Sequence, residues 1–312
     1  MKFLVILSTI MLVVAIILTV VYQRADRETM TAAEFRATSG YQQASLSNGV
    51  TAYKIAGPDE GPVVIIVHGA TLGSMAYQAY VPPLVAAGYR VVTYDQYGRG
   101  FSDRPPARFT IDLMRQQLLE LMDALQVEKA HLFGISLGGA VIARFAAEHG
   151  ERVQSLAYQV PLIAGATVSP ALVLSRLPLI GPMLARFYAI PAIIARGESF
   201  GTDTQAARDV VAHFKQQFLV QGTERMMRQM LTGDALSDRL PDHQKIAASG
   251  MAAQFAYALD DPEIAAAQVE QALSYYENPE VHQYTGGHFF SSGRAEELSV
   301  KLDEFFKAQS KQ

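Results

Sequence analysis

The chain contains no cysteine in its 312 residues. That removes disulfides, thiolate metal sites and cysteine nucleophiles in one step. Charge is sparse as well: Asp, Glu, Lys and Arg make up 18% of the residues, and the net charge of −4 carries no basic excess. Nucleic acid, whose phosphates call for a basic face, is therefore not an expected partner. Internal repeats and low-complexity tracts are also missing. What is abundant is apolar side chain. With half of its residues hydrophobic, a chain of this length can build one large core with an inserted subdomain, or two small domains.

Charge vanishes altogether between Phe3 and Tyr22, with Lys2 before this run and Arg24 and Arg27 after it. Twenty residues at about 1.5 Å each cover the roughly 30 Å of a bilayer's hydrocarbon core. A secretory signal has a shorter apolar region, ~7–15 residues, and usually an Ala-x-Ala cleavage site, which is not evident near Tyr22. Residues 1–23 are therefore read as a transmembrane anchor, with a signal peptide as the alternative. Counting Lys and Arg on the two flanks favours a cytoplasmic body. The short positive N-tail instead resembles a secretory leader, and the expectation leans to the exported face. Residues 24–44, polar and mixed in charge, read as a linker or a surface helix.

From residue 45 the pattern changes. Val50–Ile55 alternates, as the opening of a sheet would, and Gly57–Pro62 is a turn cluster. Val63–Val67 then runs apolar without alternation, as a strand covered on both faces should. Val91–Tyr94 and Leu132–Phe133 behave alike. Between them lie helical patterns over Met75–Ala87 and Thr110–Leu125, the second with Met114, Leu118, Leu121 and Leu125 along one face. Strands alternating with helices imply a parallel sheet with right-handed crossovers.

The chemistry centres on Gly134-Ile-Ser136-Leu-Gly138, where an apolar run ends and a helix-forming segment begins. A Gly-x-Ser-x-Gly in that context is a nucleophile elbow, a strand-to-helix turn that holds one serine hydroxyl above the sheet. The glycines two before and two after the serine lie where a Cβ would collide with neighbouring backbone. Three other motifs accompany it in order: His68-Gly69-Ala70-Thr71 after the first long strand, Asp95-Gln-Tyr-Gly98-Arg99-Gly100-Phe-Ser102-Asp103 after the next, and Gly286-Gly287-His288-Phe289 near the C-terminus. Together these resemble the α/β-hydrolase-fold serine hydrolases of the esterase and lipase-like kind, over about residues 45–310. The resemblance implies an α/β fold: a mostly parallel eight-stranded sheet with a helical cap insertion. It divides the chain into a first core part at 45–160, a cap at 161–249 and a second core part at 250–312, behind the N-terminal membrane helix.

Ser136 is a weak nucleophile at its own pKa and needs a base within hydrogen-bond reach. Of the seven histidines, His288 follows two glycines after a strand-like Val281–Tyr284 and can project freely above a sheet. His68 belongs to the loop after the first strand and His149 to a helix end. His131, His213, His243 and His282 lack a context that would present a ring. The acid that fixes the imidazole's tautomer should fall between Ser136 and His288 in this fold. The family usually has Gly-x-x-Asp here; Ala258 replaces the glycine, and the count from it gives Asp261, with Asp260 as the near rival. The oxyanion hole should use backbone N–H groups, one from Leu137 and the second from Ala70, with Thr71 a lesser candidate. Asp95 and Arg99 read as supports for neighbouring backbone.

Residues 161–194 are cut by Pro161, Pro170, Pro178, Pro182 and Pro191 into greasy pieces, among them Ala171–Leu174, Leu177–Ile180 and Ile190–Ile194. Thr204–Thr232 reads as amphipathic helices with Phe214, Phe218, Met226, Met227 and Met230 on their apolar faces. A cap of this kind would roof Ser136. The expected activity is hydrolysis of a carboxylic ester through an acyl-enzyme, on medium-chain or monoacylglycerol-like esters, with no metal or organic cofactor. Acyl transfer, amide cleavage or C–C bond hydrolysis by the same three residues are the alternatives, and a non-enzymatic binding module is a further one. The expected partners are a small-molecule ester, with a lipid-derived one as the finer expectation, and a membrane.

A retained anchor has a simple signature. The protein should stay with the membrane fraction through a high-salt wash, because hydrophobic insertion is not screened by ions; mature protein whose sequence begins after Tyr22 would mean a cleaved signal instead.

Overall fold

The apolar run Val63–Val67 buries both of its faces. Val64 and Ile66 enter one core cluster, while Ile65 and Val67 enter the other. A strand alternates its side chains between two faces, so an unbroken apolar run is what a sheet covered on both sides requires. The computed structural model describes residues 2–164, 174, 176–178, 180–197 and 204–309.

The chain begins with helix α1 (Lys2–Arg24), long and apolar enough to cross a membrane, a test that a signal sequence also passes. Helix α2 (Ala32–Ala37) follows, then strands β1 (Gln42–Leu46), β2 (Gly49–Ala56) and β3 (Val63–Val67). A 3-10 segment Ser74–Tyr80 leads into α3 (Val81–Ala86), β4 (Arg90–Tyr94), α4 (Ile111–Ala124), β5 (Ala130–Ile135), α5 (Leu137–Glu148) and β6 (Val153–Gln159). The inserted region contains α6 (Ile180–Leu184), a π turn over Ala185–Ala189, α7 (Ile190–Gly197), α8 (Gln205–Gln216) and α9 (Thr223–Thr232). After it come α10 (Leu240–Ala248), β7 (Ala253–Ala258), α11 (Ala266–Leu273), β8 (Glu280–Tyr284) and α12 (Ala295–Gln309). The eight strands lie in the order β1-β2-β4-β3-β5-β6-β7-β8. β1, β2 and β4 pair antiparallel, and every pairing from β4 to β8 is parallel. This is the mostly parallel eight-stranded sheet expected from the sequence. One face carries α3 and α12, through Leu84, Leu302 and Phe306; the other carries α4, α5, α10 and α11, through Leu118, Val141, Ile246 and Val269.

Local rules explain where elements start. Thr110 caps α4 by accepting the Leu113 N–H at 3.0 Å, as a β-region threonine before a helix does. The helical pattern over Met75–Ala87 divides in two because Pro82 and Pro83 sit in the first turn of α3, where a missing N–H costs nothing.

Two segments differ from their reading in the sequence. The stretch 24–44, read as a linker or a surface helix, does contain a helix, α2, but it is packed on the body. Thr31 and Glu34 form a reciprocal capping box on α2, Phe35 is buried against Phe101 and His213, and β1 begins at Gln42, ahead of residue 45. Helix α10, counted with the cap by its position in the chain, packs on α5 instead, where Arg144 pairs with Asp242 at 3.2 Å. It is the crossover helix between β6 and β7. Of the apolar pieces expected in the cap, Ala171–Val173 and Leu179 lie outside the described residues, as does Pro170.

The sheet and α5 approach so closely that the turn between β5 and α5 has no room for side chain. A Cβ on Gly138 would sit 2.0 Å from the Val67 carbonyl oxygen, and one on Gly134 would sit 2.6 Å from that of Gly138. Gly40, in contrast, has nothing within 4 Å of such an atom. Gly138→Ala should therefore cost more than about 3 kcal/mol and leave little soluble protein, while Gly40→Ala should stay within about 0.5 kcal/mol of the parent. Urea midpoints of the two variants against the parent check this.

Candidate active site

Ser136 stands at the turn between β5 and α5 with φ 52° and ψ −117°, one of three non-glycine residues with positive φ among those described. A conformation so disfavoured persists only when its surroundings over-determine it. Here the Ser136 N–H donates to the Gln159 carbonyl at 2.9 Å, and the Ser136 carbonyl accepts from Gly139 and Leu162 at 2.9 and 3.0 Å. The hydroxyl is thereby carried above the sheet edge.

His288 meets it. Its Nε2 lies 3.1 Å from Ser136 Oγ, and its Nδ1 lies 2.8 Å from Asp261 Oδ2. The carboxylate can only accept, so Nδ1 carries the proton and Nε2 presents its lone pair to the serine O–H. Burial alone would raise the Asp261 carboxyl. The hydrogen bond from His288 and those from the N–H groups of Glu263 and Ile264 outweigh it, and the carboxyl is held below its ordinary value. Asp260 faces away: its exposed carboxylate accepts the N–H groups of Gly287 and Gly286 at 3.0 and 2.9 Å, and these bonds lower its pKa. The two adjacent carboxylates thus divide their contacts. Asp261 touches the imidazole and also closes the turn that follows, whereas Asp260 braces the glycine loop on which the imidazole is mounted.

The other six imidazoles are engaged elsewhere. His68 is fully buried, accepts the Gln96 N–H on Nε2 at 2.8 Å and donates from Nδ1 to the Gly69 carbonyl, and burial lowers its pKa to about 4. His131 bonds Ser155, His243 bonds Tyr276, His149 lies against Arg115, His282 pairs with Glu280, and His213 stacks on Phe35.

Gly69, Ala70 and Thr71 line the same cleft as Ser136 and His288. Among the described residues, neither the Ala70 N–H nor the Leu137 N–H donates to another protein group, and Leu137 opens α5, whose first amides point out of the helix. Buried residues behind the loop fix its path. Arg99 donates through Nε to the Ala70 carbonyl, and Gln217 donates to that of Thr71 at 2.9 Å. Asp95, also buried, accepts from the Ser74 and Phe101 N–H groups at 2.7 and 2.9 Å. Among the described residues no carboxylate pairs with Arg99; burial, with Arg104 nearby, pulls its pKa down to about 9, so it remains charged at neutral pH.

The cleft encloses about 90 Å³, walled by Leu72, Tyr77, Ile193, Phe214 and Phe289. Burial pushes the Tyr77 hydroxyl up to about 12, so it stays protonated beside Gly69. The charged groups at the rim, Arg196 of α7 and Glu263, form an ion pair. Tyr77, Gln217, Arg196 and Glu263 carried no signal in the sequence, because each reaches the cleft through tertiary packing and none sits in a motif.

Comparison with known proteins matches residues 62–189 to a family model described as alpha/beta hydrolase fold. The chain is 34% identical over 113 residues to the AB hydrolase superfamily protein YfhM of Bacillus subtilis, covering 35% of this chain and 40% of that protein. It is 37% identical over 126 residues to a 2-hydroxy-6-oxo-6-phenylhexa-2,4-dienoate hydrolase of Comamonas testosteroni, covering 39% and 43%. The match thus spans less than half the length of these relatives. Among solved structures, the enol-lactonase from Burkholderia xenovorans LB400 superposes with a TM-score of 0.70 at 20% identity, over 85% of this chain and all of that one.

The different contacts of the paired carboxylates give different expected losses. Asp261→Asn should lower kcat by roughly 10⁴-fold by favouring the wrong tautomer, and Asp260→Asn by far less, since an amide oxygen still accepts from Gly286 and Gly287. Turnover of both variants on one activated ester decides; the reverse order would assign the imidazole partner to Asp260.

Proposed function

The chain has the α/β-hydrolase fold, and from that premise we propose that it is a serine hydrolase acting on neutral carboxylic esters. The single observation that carries the reading is the continuous hydrogen-bonded line from Ser136 Oγ through His288 to Asp261. In the proposed reaction Ser136 Oγ attacks the ester carbonyl carbon while His288 Nε2 takes its proton. The negative charge that develops on the carbonyl oxygen is held by the Ala70 and Leu137 N–H groups. Collapse breaks the bond to the alcohol oxygen, which leaves with the proton from His288, and an acyl-enzyme remains on Ser136. Water, activated by the same imidazole, then releases the acid and restores the serine. Asp261 holds the tautomer and stabilises the imidazolium in both halves.

Two features favour a neutral substrate of modest size. Among the described residues of the cleft, the guanidinium at the rim, Arg196, is already paired with Glu263, so it is not free to receive an anionic substrate. Apolar cavities of ~150 Å³ accept a molecule the size of benzene, so the 90 Å³ of the cleft suits a short acyl group, and a medium chain would extend through its mouth. Each buried methylene contributes about 0.8 kcal/mol until the walls are reached. Cleavage of a C–C bond beside a carbonyl is the second reading, favoured by the similarity to the dienoate hydrolase; it would use the same three residues. Membrane anchoring through α1 is part of the proposal.

Ser136→Ala should abolish labelling by a fluorophosphonate and ester turnover without changing the thermal midpoint by more than a few degrees. Across acetate, butyrate, octanoate and palmitate esters of one alcohol, kcat/KM should peak at butyrate or octanoate. A peak at acetate would reject the lipid-like substrate, and turnover confined to a 2-hydroxy-6-oxo-dienoate would favour C–C cleavage.

A further inference from the structure

The chain that leaves α1 is fastened to the cap. Arg186, in the π turn between α6 and α7, is only 5% exposed. Its guanidinium lies 3.9 Å from the Tyr22 ring centroid, donates to the Tyr22 carbonyl at 2.8 Å, and pairs with Asp26 at 3.3 Å and Glu224 at 2.9 Å. Arg27 returns a bond to the Arg186 carbonyl at 3.2 Å. Glu28 accepts the Gly222 and Glu224 N–H groups at the start of α9, where the helix dipole favours an acid. The backbone of Thr29 and Met30 bonds Leu219, and Gln221 returns a bond to Met30. A segment tied by this many groups holds the end of α1 at a fixed place on the cap.

That place coincides with an apolar stripe facing outward. Leu174, Leu177, Ile180 and Tyr188 are 49, 43, 47 and 72% exposed, and Leu184 is half-buried between them. Ile180, Leu184 and Tyr188, each four residues from the next, follow one another along α6 and the π turn. Arg186 is buried, and Tyr188, two residues further in the π turn, is exposed. The apolar part of α1 ends at Tyr22, and polar Gln23 and Arg24 follow, so the level of the lipid headgroups passes close to Arg186. Leu184 and Tyr188 flank that residue within roughly 3 Å of helix rise. Tyr188 is moreover the residue type that sits at the edge of the hydrocarbon.

We infer that the outer face of α6 and the π turn lies in the surface of the bilayer entered by α1, so that the cap is a membrane-docked element. The inference rests on α1 being a retained anchor. Its partner is the lipid surface: the stripe is continuous with the point where the spanning helix emerges, and a stripe of apolar side chains at headgroup depth is how an interfacial helix binds. Ile193 of α7, in the cleft wall, is seven residues beyond Arg186 on the same helical run, about 10 Å along its axis. The docked cap would therefore hold the cleft within reach of esters dissolved in the lipid.

The cysteine-free sequence allows a direct test on the full chain. Single variants Val13→Cys, Ile180→Cys, Tyr188→Cys and Glu60→Cys, labelled with the fluorophore NBD, are reconstituted in phosphatidylcholine nanodiscs with and without nitroxide-labelled lipid. Labels at 13, 180 and 188 should show blue-shifted emission that the nitroxide lipid quenches, whereas the label at 60, in the turn before β3, should show neither. Quenching at 13 without quenching at 180 and 188 overturns the docking and leaves the anchor standing. A blue shift at 180 and 188 without quenching overturns it too, and points to a protein partner on the stripe. Absence of quenching at 13 removes the anchor, and the docking falls with it.

Discussion

The contact between the first turn of α5 and the end of β3 is the constraint on which the site depends. With Gly138 placed so that even a methyl group would strike the Val67 carbonyl, only glycine there lets the helix approach the sheet this closely, and the turn before it is correspondingly tight. Ser136 is left with a positive φ, which lifts its hydroxyl clear of the strand edge and turns the Leu137 amide outward. The loop His68–Thr71 continues directly from β3, so the same contact brings the Ala70 N–H alongside. Position and strain here come from one packing fact.

The far side of the site is assembled by the Asp260-Asp261 pair. Two neighbouring carboxylates would normally repel, but they point to different donors, one to backbone amides of the histidine loop and the other to the imidazole itself. The loop after β7 and the loop after β8 are thereby joined twice. The geometry of the imidazole is specified both through its ring and through the backbone that carries it, which limits the freedom His288 would otherwise have beyond two glycines.

Much of this was legible in the sequence, because the elbow, the histidine loop and the apolar strands obey short-range rules: steric exclusion at glycine, and runs or periods of apolar side chain. A count from Ala258 favours Asp261 and leaves Asp260 as its rival, and no count could reveal what Asp260 does, since its partners return from β8 across the sheet. Helix α10 was grouped with the cap for a similar reason. Its pattern of apolar residues is the same whether it packs on α5 or on the cap, and only the fold says which. The segment before β1 reads as a linker or a surface helix because its composition is polar, and its packing is not legible there. Its buried residue Phe35 finds partners, Phe101 and His213, that are remote in the chain. The residues of the cleft rim were invisible on the same grounds.

Arg99 has a consequence of another kind. Its guanidinium is buried and holds the Ala70 carbonyl, and among the described residues no carboxylate pairs with it, so none of them cancels its charge directly. In a medium that polarises little, such a cation fixed under a loop sets up a standing electric field at the loop's outer edge. Water answers a new negative charge by reorienting, which costs free energy at the moment the charge appears; a field already in place does not. Folding has met the cost of burying this cation in advance, and any oxygen that gains negative charge beside Ala70 encounters a potential that was present before it arrived.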